Sequence, residues 1–129
     1  MRRDERGFSL MEVLAAFLVL TVVITVSFTA FLERNNRLRQ ASEITLAYQA
    51  LANEAEYIRR MPYDALVATT VFTSGTEVLA PLAPFGTATG IELIKPGVKQ
   101  VTLTVRWKNG AREAKLVVMR ADTGGSPLW

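Results

Sequence analysis

A chain of 129 residues, half of them apolar, has room for one small domain plus an extended element, and not for two full domains. It contains no cysteine and no histidine, which removes disulfides, the usual zinc, iron and copper ligand sets, and the Ser-His and Cys-His nucleophile pairs. The net charge of +3 is too small to argue for nucleic acid by charge alone.

The chain opens with MRRDERG, in which Arg2, Arg3 and Arg6 face Asp4 and Glu5. From Val13 to Leu32 no charged residue occurs, and as a helix this run would span about 30 Å, the thickness of a bilayer's hydrocarbon core. A membrane-spanning helix is the direct reading. A secretory signal peptide fits badly, because the apolar run is too long and no small-x-small cleavage site ends it. Glu12 stands at the edge of the run, where a lone carboxylate is costly and needs a partner or a purpose. The segment TVVITVSFT, residues 21–29, is rich in β-branched side chains that form helix poorly in water. In lipid the balance changes, because only a helix satisfies its backbone groups internally.

No glycine occurs between Gly7 and Gly75, and no proline before Pro62. One helix can therefore run from near Phe8 to near Arg60, roughly 80 Å. In its second half Leu38, Ala41, Ile44, Tyr48, Leu51, Ala55 and Ile58 recur at gaps of three and four, drawing one apolar stripe that needs a cover. Pro62 stops the helix, since the residue before a proline is pushed away from helical angles. Glu54 and Glu56 are two apart, so they do not face each other. With Asp64 they read as a solvated face rather than an acid/base set.

After MPYD the composition turns Thr-, Gly- and Pro-rich, with short strands expected at Thr70–Thr73 and Ile91–Lys95. The clearest β signal is VTLTVRW, which sets Val101, Leu103, Val105 and Trp107 on one face. Asn109-Gly110 predicts a hairpin turn, because both residues tolerate positive φ, and REAKLVVMR returns as the next strand. The fold class is α+β. A long N-terminal helix, transmembrane over 8–32 and amphipathic over 33–61, packs on a small antiparallel sheet within 62–123, with a loose tail over 124–129. Trp107 continues the alternation and is read as core, and Tyr48 as part of the helix stripe. Arg106, Lys108, Arg112 and Lys115 make the hairpin basic. That charge fits either edge-strand protection or contact with DNA, acidic headgroups or a partner subunit. No Gly-rich phosphate loop is present, and neither an enzyme nor a cofactor is expected.

RGFSLMEVLAA resembles the class III signal of the type IV pilin-like family, which includes pilins, minor pilins and type II secretion pseudopilins. The resemblance implies a leader of residues 1–7, cut by a prepilin peptidase between Gly7 and Phe8, with Phe8 then N-methylated. It implies that Glu12 pairs with the freed amino group, within one chain or between neighbours. The second use would set register during filament assembly, since a buried carboxylate without its cation is strongly penalised. A simple headgroup position for Glu12 is the plain alternative. ALANEAEYIRRMPYDAL and the later VTLTVRWKNG look most like PilV-type minor pilins, with type I pseudopilins second. The apolar helix lacks the proline and glycine that major pilins often carry, and no C-terminal cysteine pair closes a loop. What the family implies is a subunit anchored by a single pass in the cytoplasmic membrane, sheet domain outside. It would later sit in a pilus or periplasmic pseudopilus, contacting other subunits through its N-terminal helix. The rival from another class is an unprocessed, membrane-anchored binding module.

Overall fold

The structure, a computed structural model, describes residues 9–124. The proposed cleavage position at Gly7 and Phe8 and the tail beyond residue 124 lie outside the described residues. One helix, α1, runs unbroken over Leu10–Arg60, as the absence of internal glycine and proline predicts. The chain divides into two compact units at Gln40 and Ala41.

In the first unit α1 buries nothing. Leu14, Phe17, Leu18, Leu20, Val23, Ile24, Phe28 and Phe31 are all more than half exposed. This stretch is long and apolar enough to cross a membrane. Its threonine hydroxyls bond back to the helix itself. Thr21 donates to the Phe17 carbonyl (2.8 Å), Thr25 to that of Thr21 (2.8 Å) and Thr29 to that of Val26 (2.9 Å). Such back-bonding leaves no free donor facing lipid from these three side chains.

In the second unit the remaining turns of α1 lie against a three-stranded antiparallel sheet of order β1-β2-β3. The strands are β1 (Phe85–Lys95), β2 (Val98–Trp107) and β3 (Arg112–Ala121). The inward face of β2 is the predicted one: Val101, Leu103, Val105 and Trp107 are buried, the first two pairing with Val118 and Leu116 of β3. Helix residues Ala47, Ala50, Leu51, Ala55 and Ile58 close the core, joined by Leu66, Phe72, Leu79 and Leu82 from the α1–β1 connection. Two short 3₁₀ turns, Tyr63–Ala65 and Glu77–Leu82, carry that connection.

Four expectations are corrected. The sheet covers the helix face centred on Ala47, Leu51 and Ile58, so the upper members of the expected stripe stay open: Leu38, Ile44 and Tyr48 are 60%, 40% and 49% exposed. On the buried face Ala50 lies against Gly75 of the α1–β1 connection, so closely that a Cβ on Gly75 would meet the Ala50 carbonyl. Glu54 is not on a solvated face; it is fully buried. No strand forms at Thr70–Thr73, because the amides of Thr73 and Ser74 go to Glu54 instead of a neighbouring strand. Finally, the strand expected at Ile91–Lys95 begins six residues earlier, at Phe85. The Asn109-Gly110 hairpin forms, but its loop includes Lys108, also at positive φ, and Ala111, since Trp107 pairs with Arg112.

Candidate functional site

The N-terminal end of α1 holds the first candidate group. Ser9 precedes the helix, and Glu12 is in its first turn. The Glu12 amide donates to Ser9 Oγ at 3.3 Å, and the Ser9 amide donates back to Glu12 Oε2 at 3.3 Å. This is a capping box, in which an N-cap hydroxyl and a carboxylate three residues on satisfy each other's backbone donors. The S-L-M-E spacing was the signal that could have revealed it. Glu12 heads a surface of Val13, Ala16, Phe17 and Leu20 that is otherwise apolar. It is the last charged residue before a run of about twenty uncharged residues, the length that spans a bilayer.

The second candidate, the basic β2–β3 hairpin, is largely paired within the fold. Lys108 Nζ meets Glu43 Oε2 at 2.9 Å, and Glu113 receives Arg106 Nε on one oxygen and Lys115 Nζ on the other, at 2.5 and 2.8 Å. Arg112 has no such partner among the described residues. Trp107 also donates its indole N–H to Glu43 Oε2 (3.2 Å). Buried aromatic bodies with a polar tip usually find such an acceptor. The Lys108 ammonium, and next the Trp107 indole, hold the Glu43 carboxyl below its ordinary value of 4.5. Lys115 and Arg106 do the same for Glu113.

A depressed carboxyl stabilises the fold fully above its unfolded value, and that contribution is lost as pH falls through the folded value. Stability should therefore decline below about pH 4.5, and Lys108→Met should flatten that acid limb. Melting curves of the full chain in detergent at stepped pH check this; an unchanged limb would remove Glu43 from the account.

Two further cations have structural roles that sequence reading missed. Lys99 and Arg120 face each other across β2 and β3. Like charges so placed repel, yet both point at the end of α1. Lys99 Nζ takes the carbonyls of Tyr63 (3.0 Å) and Leu66 (2.8 Å), and Arg120 takes that of Met61 (2.6 Å). Carbonyls just after a helix C-terminus are short of backbone donors; these cations donate to those of Met61 and Leu66 and add a second donor to that of Tyr63, which also accepts the Leu66 amide.

The acid-capped apolar helix with a small antiparallel sheet in the same chain is a prepilin-like, pilin-type architecture. Residues 2–28 match a family model described as the prokaryotic N-terminal methylation motif. That match supports a place in the type IV pilin-like family, whose motif marks structural proteins, and it supports a single-pass, membrane-anchored chain processed by a prepilin peptidase. No curated protein and no solved structure matches the chain.

Proposed function

We propose that the chain is a minor pilin-like subunit, cut between Gly7 and Phe8, methylated on the new Phe8 amine, and built into or used to initiate a type IV pilus. The observation that carries this reading is the coincidence of the methylation motif with an apolar helical stretch that buries no residue in its own chain and has Glu12 in its first turn. An apolar helix with no cover in its own chain takes lipid first and neighbouring helices afterwards. Cutting after Gly7 frees an amine that is positive at neutral pH. Glu12 stands four residues beyond it in the sequence, which suits a pair within the chain or with a neighbouring subunit. Ala15 and Ala16 offer room for close helix approach. Of the hairpin cations, Arg112 is the one left for an acidic partner surface. A pseudopilin of a type II secretion apparatus uses the same N-terminal chemistry, and deletion separates the two by which is lost, surface pili or secretion.

Intact-mass analysis of protein from its native host is the direct test. The expected polypeptide starts at Phe8 and carries one methyl group, and Gly7→Val should retain Met1. A wild-type chain still beginning at Met1 would leave only the anchored binding module.

A further inference from the structure

The uncharged stretch of α1 ends at Leu32, and the helix continues as ERNNRLR, residues 33–39, with three arginines against one acid. All seven residues are exposed. Glu33 pairs with Arg37 one turn on, while Arg34 and Arg39 have no carboxylate partner among the described residues. Arg34 and Arg37 are three apart and so neighbours on one helix face. Together with Glu33 and the small Ala30 they line a depression at the end of the apolar run.

The height of this face decides what it meets. Arg34 stands about 33 Å beyond Glu12 along the helix, slightly more than the hydrocarbon thickness of a bilayer. In a chain anchored by this helix, the two guanidinium groups reach the headgroup level of the leaflet at the far end from Glu12, their stems lying along the helix surface. We propose that Arg34 and Arg37 clamp the phosphate of a net-anionic phospholipid in that leaflet and thereby fix how deep the helix sits. The inference uses the membrane anchoring of α1 and not the cut at Gly7, so it stands or falls apart from the pilin reading.

The chemistry suits arginine at both positions. A guanidinium presents its donors in a planar fork that matches two phosphate oxygens at once, and it gives up its hydration more easily than an ammonium. Glu33 already holds Arg37 in place on this face. Arg34 has no such internal anion, so a lipid phosphate supplies its counter-charge. Arg39 lies five residues beyond Arg34, about 140° around the helix, and is off the clamp.

Native mass spectrometry of the full-length chain in detergent micelles, titrated with lipid, tests the clamp. Phosphatidylglycerol should bind about tenfold or more tighter than phosphatidylcholine, whose own choline cation neutralises its phosphate. Arg34→Gln should weaken phosphatidylglycerol binding about fivefold, and the double variant Arg34→Gln/Arg37→Gln about twenty-fivefold. Arg34→Lys/Arg37→Lys, which keeps the charge and loses the fork, should fall between wild type and the double glutamine variant. Arg39→Gln should stay within about twofold of wild type. These positions are exposed, so the variants keep the fold, and near-ultraviolet circular dichroism of the sheet unit checks this. Equal affinity for the two lipids would overturn the proposal. So would an Arg39→Gln loss as large as that of Arg34→Gln, which means diffuse charge without a clamp. Inorganic phosphate competing as well as the lipid at equal concentration would make the ligand a free anion and overturn the lipid assignment.

Discussion

Full-length protein carrying Glu54→Ala should lose about 3 kcal/mol or more of stability in its sheet unit, read as a lowered melting point by near-ultraviolet circular dichroism in detergent. Glu54 is fully buried on α1, and its Oε2 accepts the amides of Thr73 (3.1 Å) and Ser74 (2.6 Å). Truncation leaves two inward-facing donors without an acceptor, and each unsatisfied buried donor costs about 1–3 kcal/mol. Glu54→Gln keeps an acceptor and should cost much less, so the comparison isolates the hydrogen bonds from the volume. The neighbouring contact predicts a companion effect. A Cβ on Gly75 would run into the backbone carbonyl of Ala50, which cannot yield without bending α1, so Gly75→Ala should also be markedly destabilising. Glu54→Ala melting like wild type would mean that the connection is held by its apolar anchors, Phe72 and Leu79, alone.

Glu12→Leu should reduce filament incorporation by about a hundredfold or more while leaving membrane insertion intact. The leucine suits lipid better than the carboxylate does, so the lone subunit gains. In the proposed assembly a neighbour's freed ammonium would lose its counter-charge in an apolar filament core, where breaking one side of a buried pair costs about 3–5 kcal/mol. The readout is the fraction of processed protein recovered in sheared filaments against the fraction kept in membranes. Wild-type recovery of Glu12→Leu in filaments would remove charge pairing from the proposed assembly.

Local pattern determined a large part of this protein. The uncharged run after Glu12, the long gap in glycine and proline, and the alternation Val101-Leu103-Val105-Trp107 each follow from a periodicity that no tertiary contact needs to supply. They fixed a single helix ending near Pro62 and a central strand with its buried face. Positive φ at Asn109 and Gly110 likewise belongs to residue chemistry, since both tolerate that backbone region.

The tertiary structure decided what depends on which surfaces meet. A helix with apolar residues around much of its circumference offers several faces, and the stripe through Ile44 and Tyr48 competed with the one through Ala47 and Ala50. The second face is the buried one, with Gly75 of the α1–β1 connection lying directly against Ala50. Glu54 looked solvated because helix periodicity carries no information about a connection arriving about twenty residues later with two unpaired amides. The roles of Lys99 and Arg120 are hidden from the sequence for the same reason: the carbonyls they serve, at Met61, Tyr63 and Leu66, become neighbours only after the chain has folded back. Spacing along the chain is local information, and the partner of a buried polar group is not.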